Sequence, residues 1–132
     1  MNEAKALLRN CPTSPQKMRY TAETIRGKDV EEALNTLQFA KRHNSVDLRK
    51  LLRSAIANWE QKNEGYKAED SQLFIKQIFV DGGRMTKRWL NAPHGRAYKM
   101  RKRSNHVTII IDSKLNNHEE AVESTTTEKA QA

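Results

Sequence analysis

Apolar residues return at helical spacing three times between residues 14 and 62; a short Ala/Leu run precedes that region and two β-branched runs follow it. The stretch SPQKMRYTAETIRG places Met18, Ala22 and Ile25 on one face and keeps Lys17, Arg19 and Arg26 off it, which predicts a helix. Ser14 is positioned to cap it, Pro15 suits the first helical position, and Gly27 suits a left-handed exit. In DVEEALNTLQFA, Asp29 and Glu32 have the spacing of a reciprocal capping pair, and Val30, Ala33, Leu34 and Leu37 form the apolar face of a second helix. A third, longer helix follows Ser45 as cap, with Leu48, Leu51, Leu52, Ala55, Ile56 and Trp59 in rhythm. AKALLRN, residues 4–10, reads as an edge strand ended by Pro12. LFIKQIFVD and HVTIIID read as a pair of strong strands, with NEGYKAEDSQ as a loop before the first of them. Residues 113–132 hold almost nothing large and apolar and are expected to be a disordered acidic tail to a single domain spanning residues 1–112.

The two strong strands bracket residues 81–105, and a structureless loop of that length is rare in a compact domain. The strands are therefore expected to continue as an antiparallel hairpin over about residues 82–106. Placing Val80 opposite Val107 puts Trp89 opposite Tyr98 and leaves Ala92, Pro93, His94 and Gly95 as the turn. Gly82 and Gly83 offer a place for a bulge that would shift this register. At ~3.3 Å per residue, arms of about seven residues project the tip roughly 20–25 Å. Trp89 and Tyr98 can stack on unpaired bases, or pair across the strands and steady the ribbon.

Charge changes the picture of this hairpin. The chain of 132 residues carries a formal charge of +8, and residues 82–111 contain eight Lys or Arg and no acidic side chain. Arg84 and Arg88 fall on one parity and Lys87 on the other, so neither face of the ribbon is apolar. Such a segment attracts a polyanion, and nucleic acid is the expected partner. Catalytic chemistry is hard to find. His43, His94, His106 and His118 are scattered, Cys11 has no recognisable base beside it, and the acidic pairs Glu31-Glu32 and Glu69-Asp70 do not converge as an acid/base couple must. No Gly-rich phosphate cradle precedes a helix. The expectation is a protein that is not an enzyme and binds no metal or cofactor. One cysteine, no apolar run of membrane length and no secretory-type start suggest a soluble cytosolic protein.

In order along the chain, SPQKMRYTAETIRGK, VEEAL, SAIAN, IFVD, KR and GRAYKMRKRSNHVTIII resemble the bacterial-type large-subunit ribosomal protein twenty-two family, from about Lys5 to Asp112. The resemblance implies an α+β fold in which three helices pack on a small three-stranded antiparallel sheet with a long protruding basic β-hairpin. It also implies a ribosome-bound, cytoplasmic role on large-subunit (23S-type) rRNA beside neighbouring ribosomal proteins. The hairpin would run through rRNA to line the nascent-peptide exit tunnel. By the family pattern, rRNA contacts fall on Lys17, Arg19, Arg26 and Lys28 in the body, and on Lys87, Arg88, Arg96, Lys99, Lys102 and Arg103 in the hairpin. Arg84 and Arg101 join them by charge. Asn91, Ala92, Pro93 and His94 form the tip facing the tunnel and the nascent polypeptide, in place of a more basic stretch. Gln16 stands where the family usually has Arg, and Trp59 where it usually has Ala.

Two other readings compete with this one. An architectural DNA-binding protein also extends basic β-arms, and Pro93 could serve as its wedge. No surplus apolar helix face is visible for the dimer such proteins usually form. A basic chaperone or partner-binding module would rest on charge alone.

Overall fold

NHVTIIIDS alternates so that Val107, Ile109 and Ile111 share one side, and it becomes the central strand of an antiparallel sheet. The structure is a computed structural model that describes residues 3–63, 66–68 and 71–114. Its elements are β1 (Ala4–Cys11), α1 (Pro15–Glu23), α2 (Val30–Phe39), α3 (Asn44–Lys62), β2 (Leu73–Gly82), β3 (Thr86–Asn91), β4 (Ala97–Lys102) and β5 (Asn105–Ser113). Strand order in the first sheet is β1-β5-β2, and β3 and β4 form a second sheet of their own. Ala6 and Ile78 both face Ile109 across the ladder, while Ala4 and Ile75 face Ile111. Directly opposed residues share a face, so these make one apolar side. Against it pack Met18, Ala22 and Ile25 from α1 and its exit turn, Ala33 and Leu37 from α2, and Leu48, Leu52, Ala55 and Trp59 from α3. The opposite side carries Lys5, Leu7 and Phe79, all exposed. This is the expected α+β architecture, three helices on a three-stranded antiparallel sheet with a hairpin between its second and last strands.

Helix starts differ from expectation in their chemistry. Ser14 and Asp29 take extended N-cap conformations, but neither side chain makes a capping bond. The Asp29 carboxylate pairs with Lys114, and Glu32 pairs with Lys28 at 2.6 Å, so the reciprocal capping pair does not form. A charge-assisted bond to a nearby ammonium outcompetes one to a neutral backbone N–H. Helix α3 begins at Asn44, one residue before the expected cap. The Ser45 hydroxyl instead donates to the carbonyls of Arg42 at 2.6 Å and Ala40 at 3.2 Å, bracing the incoming chain.

Both outer edges of the sheet are covered, as exposed edges invite unwanted pairing. Along β2, Ile75 N donates to Lys28 O at 3.0 Å and Asp29 bridges to Phe74. Further along that edge, Arg26 and Arg19 donate to the carbonyls of Ile78 and Val80. Along β1, Asn58 and Lys62 of α3 donate to the carbonyls of Lys5 and Glu3. At the far end Ser113 is buried and its hydroxyl donates to Ser71 O at 2.7 Å. The acidic tail is expected from residue 113, but Ser113 ends β5 and Lys114 pairs with Asp29; residues 115–132 lie outside the described residues.

Candidate nucleic-acid interface

Among the described residues, strands β3 and β4 pair with each other and with nothing else, and all six residues of β3 are exposed. In β4 only Met100 is even half-buried. Cross-strand partners place Arg88 and Lys102 on one face of this ribbon, and Lys87, Lys99 and Arg101 on the other. Lys87 stands directly opposite Arg101. Like charges so placed destabilise a two-stranded ribbon, and an isolated hairpin in water is marginal even without them. The arm is thus electrostatically incomplete on both faces.

The register expected from Val80 opposite Val107 holds as far as Gly82 opposite Asn105, then slips. Residues 83–85 on the outgoing arm face only residues 103 and 104 on the return, so pairing resumes with Thr86 opposite Lys102. Trp89 therefore faces Lys99 and not Tyr98, whose partner is Leu90. The expected aromatic pair is replaced by a cation over a ring, with Lys99 Nζ 5.7 Å from the Trp89 centroid. The extra residue sits at the glycine pair. Gly83 N donates to Ser104 O at 2.9 Å, and Ser104 Oγ donates to Arg84 O at 2.6 Å. A Cβ on Gly83 would lie 2.5 Å from Ser104 Oγ and 3.1 Å from its carbonyl carbon, so the crossing needs glycine.

At the tip, Ala92 N donates to Arg96 O at 2.9 Å and closes a loop around a single 3-10 turn, Pro93–Gly95. His94 and Gly95 both have positive φ, 62° and 70°. Asn91 ends β3, and Pro93 and His94 are exposed at the end of the arm. All eight cations of the segment, Arg84, Lys87, Arg88, Arg96, Lys99, Arg101, Lys102 and Arg103, are exposed along it.

The four body cations do not converge as the arm's do. The Arg19 guanidinium donates from Nε and Nη2 to Val80 O at 3.2 and 3.1 Å, and Arg26 pairs with Glu23 at 2.6 Å. Lys28 pairs with Glu32. Lys17 makes no ion pair among the described residues, and it lines a groove with Tyr20, Arg42 and His43. Reasoning from sequence missed Arg42 and His43, because the interhelical linker Lys41-Arg42-His43 sits far along the chain from Lys17. The root of the arm is braced by groups that sequence also missed. Asn105 Nδ2 donates to Thr13 O and Oγ1, both at 2.8 Å, and Asn10 N donates to His106 Nδ1 at 3.0 Å.

Cys11 is buried against Thr13 and Asp47, and burial pushes its thiol above the ordinary range, away from the thiolate. Among the described residues no three His, Cys, Asp or Glu side chains gather as a metal site, and no helix is long and apolar enough to cross a membrane. A small α+β body carrying a cationic arm exposed on both faces defines a class: basic proteins that present a surface to polyanion. Comparison with known proteins is specific. The family described as ribosomal protein L22p/L17e matches residues 6–112. The large ribosomal subunit protein uL22 of Bacteroides fragilis (strain YCH46) is 56% identical over 115 residues, 87% of this chain and 84% of that protein. Those of Christiangramia forsetii and Flavobacterium johnsoniae are 55% and 56% identical, each over 86% of this chain and 84% and 82% of their own. The chain belongs to the L22p/L17e family of ribosomal proteins. It is accordingly a structural protein of translation, not an enzyme.

Proposed function

We propose that this chain, a structural constituent of the large ribosomal subunit like the relatives it matches, binds 23S-type rRNA through both its body and its arm. The observation that supports this most directly is the ribbon itself, exposed on both faces, with Lys87 opposite Arg101 and no acid along its length. Inserted between rRNA segments, the like charges that strain the free arm are screened by the surrounding phosphates. Arg84, Lys87, Arg88, Arg96, Lys99, Arg101, Lys102 and Arg103 are the arm's contacts. In the body Lys17, which makes no ion pair among the described residues, binds through its ammonium, whereas Arg19, Arg26 and Lys28 offer phosphates the donors left over from their internal bonds. The tip at Asn91, Ala92, Pro93 and His94 lines the nascent-peptide exit tunnel, and neighbouring large-subunit proteins complete the surroundings. The protein acts in the cytoplasm, bound to the ribosome.

Two measurements test this. The chain should stay with the large subunit through a high-salt wash, and loss into the supernatant would overturn rRNA binding of this kind. A photo-crosslinking residue in place of His94 should label a stalled nascent chain, and labelling of rRNA or ribosomal proteins alone would overturn the tunnel placement.

A further inference from the structure

A groove of about 340 Å³ opens between α1 and the amino end of α3, lined by Lys17, Tyr20, Thr21, Arg42, His43 and Asn44. We infer that it is a pocket for one unstacked adenine nucleotide of the rRNA, an inference that rests on the rRNA-binding role proposed above. Its volume falls at the lower end of the roughly 300–1,000 Å³ typical of small-ligand sites.

Three features give the groove the parts that a nucleotide needs. Tyr20 supplies an aromatic face and remains 60% exposed. Its hydroxyl accepts from Gln16 Nε2 at 3.2 Å, and its carbonyl accepts from Arg42 Nη1 at 2.7 Å, so ring and guanidinium are positioned together. Bases splayed from RNA stack on such rings. Lys17 and Arg42 bring cations for the phosphate, and none of the six lining residues is acidic. Asn44, only 7% exposed, also lines the groove. A carboxamide offers a donor and an acceptor side by side, the complement of an adenine edge. The amino end of α3 opens on the same groove and adds its dipole to the attraction for phosphate. A cavity of about 440 Å³ elsewhere on the body has a different character: Asp29, Glu31 and Glu60 line it beside a single cation, Lys114.

The test uses the full chain and two fluorescein-labelled RNA hexamers of equal charge, one all uridine and one with a single central adenine. Fluorescence anisotropy at matched salt should show the adenine probe binding about tenfold tighter, the order that stacking plus a bidentate contact provides. Tyr20→Ala should bring the ratio near one, and Tyr20→Phe, which keeps the ring, should preserve it. Asn44→Ala, accepted only if its melting curve shows a folded protein, should lower it. Arg101→Ala should weaken both probes alike and leave the ratio unchanged. A wild-type ratio of one, with binding to a large-subunit rRNA fragment intact, would overturn the pocket and leave the rRNA role standing. Loss of preference in Trp89→Ala and not in Tyr20→Ala would move base recognition to the arm and overturn it too. So would an acidic peptide that binds in a Tyr20-dependent way while the probes show no preference, since the groove would then belong to a protein partner. Failure to bind either probe or the rRNA fragment would overturn both proposals.

Discussion

Gly27 has nothing within 4 Å of where a Cβ would stand, yet its φ is +73°. A side chain there meets open space and pays only in backbone conformation. Gly27→Ala should therefore destabilise by about 1 kcal/mol, read from the denaturant midpoint, and an unchanged midpoint would mean that the turn after α1 relaxes without loss. This glycine was legible because a helix followed at once by another demands a left-handed exit, which is a local requirement. Gly83 was legible only as a possible bulge, since its need for glycine comes from Ser104 on the returning arm. Arg19 shows the opposite limit. Its type and position on α1 suggest an RNA contact, but whether its donors are free depends on Val80, sixty-one residues away. Residue type reveals what a side chain can bond to; folding decides which bonds are already taken.

At the scale of elements, the helices and strands followed from period, because a 3.6-residue or two-residue repeat is written in neighbouring positions. Irregularities did not, because each is a count of residues on two strands at once. The slip at Gly83 is one case and Lys76 in β2 is another. Pairing of β2 with β5 shifts between Ile75 and Gln77, leaving Lys76 as the extra residue. Its ammonium bonds Glu3, just before β1, and Asp112 Oδ2 of β5 at 3.1 Å, so one side chain ties all three strands. The Asp112 side chain is only 5% exposed, and Lys76 neutralises it. The bond to Glu3, then that to Asp112, holds the Lys76 ammonium above its ordinary 10.5. A folded-state value raised in this way contributes stability that is complete below the unfolded value and is lost as pH rises through the folded one. Wild type should thus melt above Lys76→Met at neutral pH, with the gap constant up to about pH 9 and closing beyond about pH 10.5. A gap that stays constant through pH 12 would show that Lys76 contributes packing and no charge.

At the scale of the whole molecule, apolar burial and cationic charge are segregated. The buried core draws on β1, the three helices, β2 and β5, and takes no residue between 81 and 106. Residues 82–111 hold eight basic and no acidic side chains, all eight of the basic ones on the arm. Pairing of β2 with β5 is complete at Gly82 opposite Asn105, before the arm begins. Replacing residues 84–103 by Asn-Gly should therefore leave a body that melts cooperatively, because it removes no core side chain and the sheet closes over a two-residue turn. The cost should appear in binding. Each phosphate contact adds roughly 0.7–0.9 to the slope of log affinity against log salt. If about half of the eight cations meet phosphate, the shortened protein should bind a large-subunit rRNA fragment with a slope flatter by about 3. Residual binding should persist through the body, where Lys17 and Arg42 border the groove beside α1. An unchanged slope would show that the arm is not the main phosphate-contacting element. A shortened chain that fails to melt cooperatively would show that the arm supports the body, against its exposure on both faces. A folded body with weaker, less salt-sensitive binding is the outcome that the segregation of core and charge requires.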